Sequence, residues 1–171
     1  SIIINRLQGL DNASPFNLDY NKHTARLINL YSTRRRLTLS RVLGLSELYF
    51  PLFEEELEKN NLPIELKYLP IVESALNNTV RSSAGAVGLW QFMYRTGKYL
   101  GLEINSYVDE RRDPIKSTKT AVKYLTYLHG LYNDWHLALA AYNAGPGNVN
   151  KAIRRSGGSK NFWIIQEFLP R

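Results

Sequence analysis

The apolar residues of this chain recur at helical rather than strand spacing, and that narrows the folds open to it. From about Ser40 onward they fall three and four apart, the period of one face of an α-helix. Trp135, Ala138, Leu139 and Tyr142 form one such stripe, and Ala121, Leu125, Leu128 and Tyr132 form another. Leu89, Phe92, Met93, Thr96 and Leu100 are expected to form a third. Leu45, Leu48 and Leu52 mark the inner face of a helix whose acids point outward, with Pro51 blurring its start. Local punctuation agrees with this reading. Pro114 opens a long helix, Gly145 closes one, Pro146 opens the next, and Gly157-Gly158 ends that one. No convincing alternating strand run occurs, so the expected fold class is all-α, or mainly helical. Residues 1–40 fit no stripe cleanly. They are expected to form an N-terminal helical arm packed on a main domain of residues 41–171, one structural unit overall.

Glu73 breaks the pattern. In L-P-I-E-L-K-Y-L-P-I-V-E-S-A-L, Leu62, Leu66, Leu69 and Leu76 share one helical stripe, and Glu73 lies on it between the last two. Pro63 can open this helix, Pro70 kinks or restarts it, and Asn77-Asn78 stop it, which places Glu73 in the last turn. A carboxyl facing an apolar core either finds partners or keeps its proton, because desolvation penalises the charged form. A carboxyl held neutral near pH 7 is what a general acid requires.

Composition removes several alternatives. The 171 residues suit one domain and contain no cysteine, which excludes disulfides, thiolate metal sites and a thiol nucleophile. No stretch approaches the roughly 20 apolar residues of a membrane span. The N-terminal S-I-I-I-N-R lacks the basic start and apolar length of a signal peptide. His23, His129 and His136 lack metal-ligand spacing, so neither metal nor cofactor is expected. The net charge of +7 is concentrated in the later two-thirds of the chain and suits a polyanionic partner. No nucleic-acid-reading motif accompanies it, so nucleic acid is not the expected partner. Arg34-Arg35-Arg36 reads as a solvated face, and Trp135 and Trp163 read as core. Trp90 stays open between core packing and stacking on a ligand.

Further segments look built for a site. R-S-S-A-G-A-V-G-L-W-Q-F-M, from Arg81 to Met93, combines hydroxyls with glycines at 85 and 88, and the amide of Gln91 lies off the apolar stripe. A-L-A-A-Y-N-A-G-P-G, from Ala138 to Gly147, places the phenol of Tyr142 on a buried stripe and Asn143 at a helix end. E-R-R-D-P, from Glu110 to Pro114, looks like an ion-pair cluster at a helix start.

Taken with E-S-A-L at Glu73, the second and third blocks closely resemble the signature of lytic murein transglycosylases of the lysozyme superfamily. The flanking L-P-I-E-L-K-Y-L-P-I-V-E-S and D-E-R-R-D-P-I-K-S-T are most similar to the membrane-bound lytic transglycosylase D branch. The resemblance runs from about Leu45 to Pro170, with the blocks in the family order. It departs at Tyr94, where the family usually has proline, and at N-N-T-V, which lacks the proline that follows the catalytic pair.

The resemblance implies a lysozyme-like transglycosylase domain that cleaves the MurNAc-β-1,4-GlcNAc bond of peptidoglycan without water, leaving 1,6-anhydroMurNAc ends. It implies Glu73 as the one catalytic carboxyl, acid then base. Ser82, Gln91, Met93, Tyr142 and Asn143 are implied as substrate-binding or orienting residues. Alternatives are a hydrolytic muramidase of goose-lysozyme type and an inactive peptidoglycan-binding domain. The implied partners are peptidoglycan glycan strands, in the periplasm or cell envelope. Any peripheral or lipoprotein association with the outer membrane would run through segments outside these residues.

Overall fold

A computed structural model describes residues 2–12, 14–16 and 22–170. The parts of the expected N-terminal arm at residues 1, 13 and 17–21 lie outside the described residues. Nine α-helices and three short 3-10 turns make up the regular structure among the described residues, with isolated β-bridges and no strand. The fold is all-α. No described helix is long and apolar enough to cross a membrane.

The chain divides into two compact units, Ser1–Val122 and Lys123–Arg171. The first unit holds α1 (Ile2–Asp11), α2 (Lys22–Ser32), α3 (Arg36–Lys59), α4 (Leu69–Ser74) and α5 (Tyr94–Tyr99). It also holds the first half of α6 (Pro114–Tyr132). α2 packs against α3, and α3 against the 3-10 turn Ile64–Tyr68 that leads into α4. α3 runs unbroken through residues 40 and 41, where the sequence suggested that an arm would end. Pro51 sits within it.

The inward face of α3 is not the expected one. Val42, Phe53 and Leu57 are buried, whereas Leu45 and Leu52 are half-buried and Leu48 is 67% exposed. The reason is aromatic. The Phe53 ring meets Trp90 edge-on at 5.2 Å between centroids, and both are fully buried. An aromatic pair buries more surface than the leucines could and sets the rotation of the helix. Trp90 also donates from Nε1 to Thr118 Oγ1 at 2.9 Å, so this indole belongs to the core and cannot stack on a ligand.

A second expectation also changes. Leu89 and Phe92 are buried as foreseen, but no helix carries them: α5 begins only at Tyr94. Gly85, Gly88 and Gln91 adopt φ of +91°, +86° and +49°, a backbone no α-helix accommodates. Residues 81–92 instead fold as consecutive turns tied by bridges Arg81–Val87 and Val87–Phe92.

The second unit holds the rest of α6, α7 (Trp135–Ala144), α8 (Pro146–Arg155) and α9 (Phe162–Ile165). Each helix start in this part of the chain has a local cause. Asp113 accepts from the amides of Ile115 and Lys116, both at 2.9 Å, with Pro114 behind it. Asp134 accepts from Leu137 N at 2.8 Å and Asn161 from Trp163 N at 2.9 Å. Gly145, at φ +85°, separates α7 from α8. Leu128, Leu137, Ala141, Val149, Ala152 and Ile165 form the core of this unit. Trp163 is 42% exposed rather than core, because Ile165 takes the inward position of the four-residue α9.

Removing the Phe53 ring leaves a cavity against Trp90. Phe53→Ala is expected to cost about 3–5 kcal/mol of stability, read by urea or thermal unfolding. A loss below about 1 kcal/mol would show that the ring does not anchor α3.

Candidate active site

The site is assembled around the end of a very short helix. The 3-10 turn Ile64–Tyr68 gives way to α4 at Leu69, with Pro70 in the first turn where its missing N–H costs nothing. Glu73 lies in the last turn. The backbone then passes through two left-handed residues that are not glycine, Ala75 at φ +51° and Leu76 at φ +59°. Such residues cost on the order of 1–2 kcal/mol each and need their surroundings to hold them. Leu76 is held by full burial, and Ala75 N bonds Ile71 O at 2.9 Å. Ser74 supplies the tie across the chain. Its Oγ lies 2.9 Å from Pro70 O and 2.9 Å from Leu89 O, so the hydroxyl links the end of α4 to the glycine-rich turns.

Those turns carry Ser82 and Gln91. Ser82 N donates to Ala86 O at 2.9 Å, and Ala86 N returns to Ser82 Oγ at 3.0 Å. The hydroxyl oxygen thus closes its own turn, and its proton donates to no described residue. Gln91 N and Nε2 both point to Gly88 O, at 3.2 and 2.8 Å. One amide hydrogen that the sequence suggested would be free for a ligand is therefore committed to the turn, leaving Oε1 as an acceptor. Met93 precedes α5 and is 44% exposed.

Sequence reasoning missed the group that secures this arrangement. Arg111, buried beside α6, donates from Nε and Nη2 to the two Asp109 carboxylate oxygens at 2.8 and 2.7 Å. Its Nη1 reaches Phe92 O at 3.2 Å and Gly85 O at 3.4 Å, so one guanidinium grips the middle and the end of the glycine-rich turns. The hydrogen bonds from Arg111 hold the Asp109 carboxyl below the ordinary aspartate range. Gly88 fits against the same residue: a Cβ there would lie 1.9 Å from Arg111 O. Arg112 adds a bond from Nη1 to Thr79 O at 2.9 Å. The only sequence signal was the charge cluster E-R-R-D-P, which does not say that its partners are backbone carbonyls.

Glu73 itself is half-buried, and no described residue makes a hydrogen bond or ion pair with its carboxyl. Burial raises its pKa above the ordinary glutamate value, and no neighbouring charge contributes. Among the described residues no fully buried side-chain oxygen or nitrogen lacks a partner, so this carboxyl opens toward solvent. It is partly desolvated and still reachable from solvent.

Tyr142 and Asn143 stand on the last turn of α7 in the second unit. Tyr142 is half-buried with its ring 5.6 Å from that of Tyr124. Asn143 is exposed and borders a cavity of about 320 Å³, lined also by His136, Leu139, Ala140 and Phe162.

The raised pKa of Glu73 has a consequence for stability. Above that pKa the folded state holds a poorly hydrated charge; below the pKa of the unfolded chain the cost disappears. Glu73→Gln removes it. The variant is expected to melt at a higher temperature than the wild type at about pH 8, and the two should converge near about pH 3. A variant less stable than the wild type at the higher pH would contradict a desolvated carboxyl.

Comparison with known proteins fits this geometry. Residues 50–165 match the transglycosylase SLT domain family. The chain is 39% identical over 136 residues to the membrane-bound lytic murein transglycosylase D of Escherichia coli K12, covering 77% of this chain and 30% of that protein. It is 33% identical over 103 residues to the soluble lytic murein transglycosylase of the same organism, covering 57% of this chain and 16% of that one. Among solved structures, the 70 kDa soluble lytic transglycosylase of Escherichia coli superimposes with a TM-score of 0.58 at 29% identity, covering 74% of this chain and 22% of that one. The chain thus spans under a third of the length of these relatives. Its match over residues 50–165 makes it a member of the transglycosylase SLT domain family.

Proposed function

We propose that this chain is a peptidoglycan lytic transglycosylase that cleaves the MurNAc-β-1,4-GlcNAc bond without water. The observation that carries the reading is Glu73, a half-buried carboxyl with its pKa raised by burial and no other charge acting on it. Most glycosidases set two carboxylates against each other across the bond. A single isolated carboxyl suits a reaction in which one group serves twice.

Glu73 gives its proton to the glycosidic oxygen as the C1–O bond breaks, and the GlcNAc end leaves as an alcohol. The muramic N-acetyl oxygen shields the electron-poor C1. Glu73, now a carboxylate, takes the proton of the 6-hydroxyl of the same sugar as O6 bonds to C1. No water is consumed, and the carboxyl ends protonated for the next cycle. The internal hydroxyl outcompetes water through its high effective concentration. Ser82, Gln91 and Met93 contact or orient the sugar from the glycine-rich turns. The family resemblance also implies Tyr142 and Asn143, on α7, as substrate-binding or orienting residues. The net charge of +7 favours association with an anionic wall polymer in the periplasm or cell envelope.

Mass spectrometry of purified peptidoglycan treated with the protein and with Glu73→Gln tests the reading. Muropeptides ending in 1,6-anhydroMurNAc, absent with the variant, are the expected result. Reducing ends carrying one added water would mean a muramidase. Binding to the polymer without cleavage by either protein would mean a wall-binding domain.

A further inference from the structure

We propose that Arg111, locked by Asp109, is a positioning residue for the reaction, holding the Gln91 turn and the helix end that bears Glu73 in one fixed relation. The inference rests on the transglycosylase reading above. It assigns a role to the E-R-R-D-P segment, which the chemistry does not otherwise use.

The geometry forms one continuous path. The Arg111 guanidinium lies in a fork with both Asp109 oxygens, and its Nη1 reaches Phe92 O and Gly85 O. Its face rests 6.0 Å from the ring centre of Tyr94, the first residue of α5. Between the two gripped carbonyls lie Gly88, pressed on Arg111 O, and Gln91, whose amide is bonded to Gly88 O. Leu89, also within the gripped span, offers its carbonyl to Ser74, next to Glu73. Movement of the turns would therefore displace the Gln91 side chain and release the terminus of a helix only six residues long. A helix of that length is not stable alone and takes its position from what it is tied to. The planar guanidinium matters here, because four acceptors in fixed directions cannot be met by an ammonium group.

The test compares wild type with Arg111→Lys on the same peptidoglycan, well below the melting temperature of each, following anhydro-ended product. Arg111→Lys keeps the charge next to Asp109 but loses the fork. The expected result is a fall in kcat/KM of about 100-fold, the scale of a 1 Å misplacement, shared between a higher KM and a lower kcat. The alkaline limb of the rate profile is also expected to move to lower pH, because a loosened helix end hydrates Glu73 and favours its charged form. A purely structural role would lower the melting temperature and leave KM and the limb of the folded enzyme in place; that result, or wild-type kcat/KM, would overturn the proposal. If Arg111→Lys does not fold, Asp109→Asn carries the test with the same directions and the same overturning results, since it keeps the shape of its side chain and weakens the lock. A wild type without product would instead remove the transglycosylase reading, and the positioning role with it.

Discussion

A six-residue helix cannot fix its own end. α4 holds Glu73 in its last turn, and the backbone beyond it enters two left-handed residues that nothing in their own chemistry favours. The Ser74 hydroxyl, bonded to Leu89 O at 2.9 Å, lets that end rest on the neighbouring turns. Those turns rest in turn on Arg111 and on a Gly88 with no room for a side chain. The placement of one carboxyl thus depends on a short series of bonds to backbone carbonyls rather than on a large packed face. The packed face lies just behind, where Phe53 and Trp90 meet in the core.

This arrangement gathers several local costs. Left-handed alanine and leucine, an ion pair whose guanidinium is buried, and a partly desolvated glutamate are each unfavourable taken singly. They come from two separate segments of the first unit, residues 73–76 and 109–111, and such costly groups cluster at functional sites. The α6 and α7 starts are secured more simply: an aspartate caps each, and Pro114 opens α6.

Much of this was legible in the sequence where the cause was local. Pro114, Gly145 and Pro146 mark their boundaries because they act on their own backbone, and the helical period of residues 121–142 reports a face that is buried. Glu73 stood out because an acid on an apolar stripe is chemically costly wherever it occurs. What escaped was non-local or written in the backbone. The rotation of α3 follows from Phe53 meeting Trp90, a partner far along the chain. The helical period of Leu89 to Leu100 could not reveal that residues 85, 88 and 91 take positive φ, though the glycines hinted at it. Arg111 was invisible as a clamp because two of its acceptors are carbonyls, which carry no residue identity. The free amide expected of Gln91 was partly claimed by Gly88 for the same reason.

The central claim is that burial, with no neighbouring charge, raises the pKa of the Glu73 carboxyl above the ordinary glutamate value. A carbon-13 NMR titration of the glutamate side-chain carboxyls, with Glu73 assigned by its loss in Glu73→Gln, measures this directly. The account predicts that the Glu73 resonance titrates clearly above the ordinary value of about 4.3, apart from the exposed glutamates. A midpoint at or below that value would show a well-solvated or charge-paired carboxylate, and the account of the site would fail.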